Sequence, residues 1–198
     1  MIKNIIFDIG NVLVEFGWER FLKRFSDNPE EFDRLVKATV GNPDWAEMDR
    51  GVLSDEEILD LFIENDPELE PKLRTMYKDY NGLLVQFGYA KEWIDDLKKR
   101  GYKVYALSNM SYKAIRECAD SMDFLSMMDG SILSCYYKLI KPDPNIYRLL
   151  FDTFDLIPQE CVFFDDLEKN IEAARASGMS GVVFKNKEQA EAELAKLL

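Results

Sequence analysis

Four short apolar runs, each stopping at or just before a polar residue, constrain this chain more than anything else in it: IIFD (5–8), VYALSN (104–109), CVFFDD (161–166) and GVVF (181–184). Such runs, without polar alternation, are what a strand buried on both faces of a parallel sheet requires. Helical spacing separates the later ones: Trp93, Ile94 and Leu97 before Gly101; Ile115 and Ala119 after Ser111; Ile146, Leu149, Leu150 and Phe154 before Pro158. Strand and helix in alternation predict an α/β fold, a Rossmann-like parallel sheet with helices on its faces.

Between 16 and 86 the texture changes. Phe21, Leu22 and Phe25, then Phe32, Leu35 and Val36, then Leu69, Leu73, Met76, Tyr77 and Tyr80 keep helical spacing. Breakers at Asn28-Pro29, Gly41-Asn42-Pro43, Gly51 and Asp66-Pro67 divide the pieces. The expectation is a core of 1–15 and 87–198 with an inserted all-helical cap, 16–86, seated over the carboxyl edge of the sheet, where open α/β sheets bind ligands. The tail EQAEAELAKLL predicts a short terminal helix.

Composition narrows the chemistry. The chain has no histidine, which removes His-assisted serine or cysteine nucleophiles and most zinc sites. Cys118, Cys135 and Cys161 are too few and too far apart for a thiolate metal site or a disulfide framework, so a reducing cytoplasm is expected. No apolar stretch approaches the length that spans a bilayer. The formal charge of −12, from 37 acidic and 25 basic residues, repels nucleic acid and anionic membranes. Expected instead is a small-molecule ligand, bound by a monomer or weak dimer.

Chemistry must therefore run on carboxylates, lysine, serine, asparagine and a hard metal. Asp8 ends the first run, Ser108-Asn109 the second and Asp165-Asp166 the third, with Lys141 in LIKPDPNIY. Each has an ordinary reading alone. Asp8 and Ser108-Asn109 suit turns or caps, Lys141 suits solvent, and Asp165 stands at capping-box spacing from Glu168, with Gly178 closing the helix. Strand ends on one edge converge, however, and three carboxylates there would repel one another unless a divalent cation with oxygen preference joined them. Lys141 and Ser108 would then be free to hold an anion, which describes a phosphoryl-transfer site.

FDIGNVL, LSN, KPDPNIY and FFDDLEKN resemble, in this order, the four motifs of the haloacid dehalogenase superfamily, and the similarity covers the whole chain, helical insertion included. Within that superfamily the DxGNV form at Asp8 resembles a subset of bacterial sugar-phosphate phosphatases, among them those acting on glucose 1-phosphate. The resemblance implies that Asp8 is a nucleophile forming an aspartyl-phosphate, that Ser108 and Asn109 bind the phosphoryl group, and that Lys141 steadies both. It implies Mg²⁺ held by Asp8, Asp166 and the carbonyl of Gly10, with Asp165 and Asn170 supporting the shell. The substrate implied is a small phosphorylated metabolite, a sugar phosphate such as a sugar 1-phosphate.

Gly10 departs from the pattern. Most phosphatases of the family carry there a second Asp that protonates the leaving oxygen, and its absence favours substrates with an acidic leaving group. Two rivals follow: a 2-haloacid dehalogenase, which needs no metal and no paired Asp in the fourth motif, and a non-catalytic binding protein of the same fold. Within WAEMDRGVLSDEE (45–57), which resembles a substrate loop, Arg50 is a candidate contact for phosphate or sugar, as is Arg20, and Trp45 for a sugar face. The ordinary reading of surface arginines and a packed Trp stands beside this. The breakers around Gly51 predict a mobile lid.

Overall fold

The structure, a computed structural model, describes residues 1–197. Five parallel strands form the central sheet in the order β5-β4-β1-β6-β7: β1 (Asn4–Phe7), β4 (Lys103–Ser108), β5 (Gly130–Leu133), β6 (Cys161–Asp165) and β7 (Ser180–Val183). A two-stranded antiparallel pair, β2 (Val14–Phe16) and β3 (Leu84–Gln86), stands apart with Glu15 opposite Val85. Between its strands lie α1 (Trp18–Lys23), α2 (Pro29–Ala38), α3 (Asp44–Arg50), α4 (Asp55–Asn65) and α5 (Glu70–Tyr77). After it come α6 (Ala90–Lys99), α7 (Tyr112–Glu117), α8 (Ser134–Tyr137), α9 (Pro144–Phe154), α10 (Glu168–Ala176) and α11 (Lys187–Lys196). The terminal helix is thus present, while Leu198 lies outside the described residues.

The sheet is buried on both faces, as its apolar strands demand. Along β1 the side chains alternate: Ile5 and Phe7 pack with Trp93, Ile94 and Leu97 of α6 and with Leu194 of α11, and Ile6 packs with Tyr147 and Leu150 of α9 and Ile171 of α10. Phe7, Trp93 and Phe164 lie within 6.0 Å of one another by ring centroids. Each such side chain contributes roughly 1.5–3 kcal/mol by leaving water.

One expectation needs correction, and two further readings gain detail. The segment 16–86 is not all-helical, because Phe16 closes β2 and the whole of β3 falls inside it. The core has a fifth parallel strand, β5, at the sheet edge. Asp165 does not cap α10: the N-cap is Leu167 and makes no side-chain capping bond.

The inserted helices are fastened to the core rather than hung from it. Gly51, in the left-handed region at φ 71°, ends α3 against α8, where a Cβ would stand 2.7 Å from that of Cys135. Lys138 Nζ donates to the Gly51 carbonyl, and Ser134 Oγ donates to the Asp49 carbonyl at 2.5 Å. Lys113 of α7 is buried against the rings of Tyr77 and Tyr80, 4.6 and 4.9 Å from their centroids. These contacts tie the stretch around Gly51 to the core. No helix among the described residues is long and apolar enough to cross a membrane.

Candidate active site

β4, β1 and β6 are neighbours in the sheet and run parallel, so their carboxyl ends open on one edge. Asp8 follows β1 directly, Ser108 ends β4, Asp165 ends β6 and Asp166 follows it. Lys141 reaches the same place from the segment between α8 and α9. Asp8 Oδ1 accepts from Ser108 Oγ at 2.7 Å and from the Ile9 N–H at 2.7 Å, and stands 2.9 Å from Lys141 Nζ. No protein partner is found for Asp8 Oδ2 among the described residues. One oxygen of the carboxylate is thus fixed and the other is open.

Lys141 also donates to Asp165 Oδ2 at 2.6 Å. Asp165 is fully buried, and its oxygens further accept from the Leu167 N–H at 2.8 Å and from Asn170 Nδ2 at 3.0 Å. This carboxylate is mainly an anchor for Lys141. Asp166 is freer, its Oδ2 accepting from Asn11 Nδ2 at 2.9 Å. Asn109 lines the cavity but its amide is engaged, Oδ1 accepting from the Lys141 N–H at 2.7 Å and Nδ2 donating to the Lys141 carbonyl at 3.1 Å. It holds the lysine's backbone, where the resemblance implies a phosphate contact.

Burial raises the Asp8 pKa to about 7, with Lys141 opposing and Asp165 reinforcing the shift. Burial raises Asp166 as well, against its hydrogen bond from Asn11. For Lys141, burial acts downward, but Asp8 and Asp165 outweigh it and its pKa is raised. The centre is short of positive charge: Asp8, Asp165 and Asp166 each offer a carboxylate oxygen within 4.8 Å of the others, with one ammonium among them. Asn170 Oδ1 is buried beside them without a hydrogen-bond partner. An all-oxygen donor set with excess negative charge fits a hard divalent cation such as Mg²⁺.

Asp8, Ser108, Asn109, Lys141, Asp166 and Asn170 line a cavity of about 420 Å³, with Asp165 buried behind them, and the far wall comes from the inserted helices, including Trp45, Met48 and Asp49. Trp45 is also packed beside Phe16, Phe62 and Tyr80. Neither candidate arginine lines this cavity. Arg50 pairs with Glu47 at 3.1 Å; Arg20 pairs with Glu15 at 2.8 Å and borders a separate cleft with Trp18 and Lys23. The sequence reading missed Asp49, although helical spacing reveals it: Trp45, Met48 and Asp49 stand at i, i+3 and i+4, one face of α3, and Arg50 falls off that face. It also missed Asn11, which holds Asp166 with one end of its amide and accepts from the Phe16 N–H with the other.

Residues 2–178 match the family model of haloacid dehalogenase-like hydrolases. The chain belongs to that family. Among its relatives in the haloacid dehalogenase-like family, phosphatase MT3486 of Mycobacterium tuberculosis (strain CDC 1551 / Oshkosh) is 27% identical over 200 residues, covering 90% of this chain and 85% of that protein. Acyl-CoA dehydrogenase family member 10 of Mus musculus is 28% identical over 211 residues, covering 99% of this chain, which spans 19% of the mouse protein's length. The haloacid dehalogenase family enzyme BT-2542 from Bacteroides thetaiotaomicron superposes with a TM-score of 0.76 at 23% identity over 98% of both chains, a likeness of fold. That enzyme has also been solved in complex with magnesium and inorganic phosphate.

Proposed function

We propose that this chain hydrolyses a small phosphorylated metabolite, with Asp8 as nucleophile and Mg²⁺ as cofactor, acting as a monomer or weak dimer in the cytoplasm. The observation that carries the reading is the state of Asp8: one oxygen fixed by Ser108, Lys141 and the Ile9 N–H, the other open, beside the further carboxylates of Asp165 and Asp166. Asp8 Oδ2 attacks phosphorus in line with the departing oxygen and forms an aspartyl-phosphate. Water then attacks phosphorus and Asp8 leaves as carboxylate. Lys141 and Ser108 offset charge on the phosphoryl oxygens through both steps. Asp8, Asp166 and the Gly10 carbonyl would hold Mg²⁺, with Asp165 and Asn170 behind them, and the bound ion supplies positive charge against the phosphoryl oxygens. The helices within 16–86 serve as the cap over a core of 1–15 and 87–198. The phosphatase name of the Mycobacterium tuberculosis relative supports the same chemistry.

For the substrate, the finer reading is a sugar phosphate, such as a sugar 1-phosphate, with Trp45 and Asn42 in the wall that faces its body. A second reading is an ester with an apolar or aromatic body, favoured because Val40, Met48, Leu83 and Leu84 in the same wall offer hydroxyls no hydrogen bond. A panel of sugar 1-phosphates, sugar 6-phosphates, aromatic and isoprenoid phosphates, with 2-chloropropionate alongside, tests all of this. Phosphate release should disappear in EDTA and return with Mg²⁺, and the best ester identifies the body. Halide release from 2-chloropropionate that ignores EDTA would instead establish the dehalogenase reading.

A further inference from the structure

At Gly10 the chain offers no side chain to protonate the leaving oxygen, yet a third aspartate, besides Asp8 and Asp166, lines the cavity from the opposite wall. Asp49 lies in the last turn of α3 and lines the same space as Asp8, Ser108 and Lys141. It is half-buried, shares a helix face with Trp45 and Met48, and makes no ion pair among those found in the described residues. Its backbone is held firmly: Ser134 Oγ donates to its carbonyl, and the next turn is pressed on Cys135 and tied by Lys138 at Gly51. A carboxyl on an apolar face without a cationic partner is costly for stability alone. Rigid placement of the group is what proton transfer at a fixed point needs.

We propose, on the phosphatase reading above, that Asp49 is the general acid and base of the reaction, replacing from the cap the carboxyl that Gly10 lacks. As the Asp8 Oδ2–P bond forms and the P–O bond to the leaving group breaks, the Asp49 proton passes to the departing oxygen, which leaves as an alcohol. The resulting Asp49 carboxylate then takes a proton from the water whose oxygen attacks phosphorus. The Asp8–P bond breaks, inorganic phosphate departs and Asp49 is again protonated. The groups facing Asp49 suit the cycle: Asp8 and Lys141 from the core side, Ser111 at the start of α7, Tyr80 after α5, and Cys135 on α8. Burial, with the charge of Asp8 added, raises its pKa to about 7, against Lys141 and the Ser111 N–H.

The test is the dependence of kcat/KM on leaving-group pKa in the full chain with Mg²⁺, from 4-nitrophenyl phosphate to simple alkyl phosphates. The wild type should show a shallow slope. Asp49→Asn should lose roughly 10²- to 10⁴-fold in kcat/KM on alkyl phosphates, the usual worth of a positioned acid, and far less in kcat/KM on 4-nitrophenyl phosphate, whose leaving oxygen needs no proton, while kcat falls on both because the second step loses its base. Adding Gly10→Asp to Asp49→Asn should recover alkyl turnover, since a Cβ at Gly10 meets nothing within 4 Å. A steep slope in the wild type, or equal losses of kcat/KM on both substrate classes in a folded Asp49→Asn, overturns the assignment and leaves the phosphatase reading standing. Absence of any Mg²⁺-dependent phosphate release by the wild type would remove both.

Discussion

The amide of Asn11 joins the turn after β1 to the carboxylate of Asp166, and its φ of 55° is one that Asn tolerates better than most residues. Asn11→Gly keeps that backbone and deletes the amide, which releases Asp166 and also removes the exposed hydrogen bond from the Phe16 N–H, worth about 1 kcal/mol. Groups that orient a metal-binding carboxylate typically cost roughly 10–100-fold in metal affinity when removed. The Mg²⁺ concentration for half-maximal activity should rise by a factor in that range while thermal stability changes little; an unchanged requirement would separate Asp166 from the metal. At this scale the sequence was legible where a residue ends a buried strand, as Asp8, Ser108 and Asp165 do. It was less so on α3, where Arg50 drew attention by its charge and Asp49, one position earlier, is the residue that faces the cavity. Nor does a motif show which side of an amide is taken: Asn109 sits beside Ser108, but its side chain is bound to the Lys141 backbone.

Among the elements, α4 shows how local sequence fixes a helix that the site depends on only indirectly. Ser54 accepts from the Glu57 N–H and Glu57 accepts from the Ser54 N–H, a complete capping box, and Ile58 and Phe62 bury the helix's inner face. Ser54→Ala should cost about 1 kcal/mol, or about 2–4 °C in Tm for a chain of this size, with kcat unchanged; a loss of kcat at constant Tm would give α4 a direct part in catalysis. The same scale explains which elements could be read. β1 and β6 carry the apolar runs Ile5 to Phe7 and Cys161 to Phe164 because helices cover both faces. β5 begins Gly130-Ser131, and Gly130 is small because a Cβ there would stand 2.3 Å from the Phe154 ring, so the strand carries no apolar run. β2 and β3, three residues each, are too short for any period to show.

Across the whole molecule, the insertion between β2 and β3 gives an open sheet edge a second wall, and its contacts at Gly51, Lys113 and Ser134 tie that wall to the core. A net charge of −12 gives no general attraction for a phosphate ester, so on the proposed reading its capture would fall to Lys141, Ser108 and a cation held by the neighbouring carboxylates. The central claim is that Asp8 becomes phosphorylated in a Mg²⁺-dependent reaction, and single-turnover trapping tests it most directly. With a ³²P-labelled ester and acid quench, label should appear on the peptide carrying Asp8, be released by hydroxylamine and be absent in EDTA. Asp8→Asn should remain folded, take no label and lose at least about a thousandfold in turnover. Turnover near the wild-type rate in a folded Asp8→Asn, or label that persists in that variant, would contradict the account.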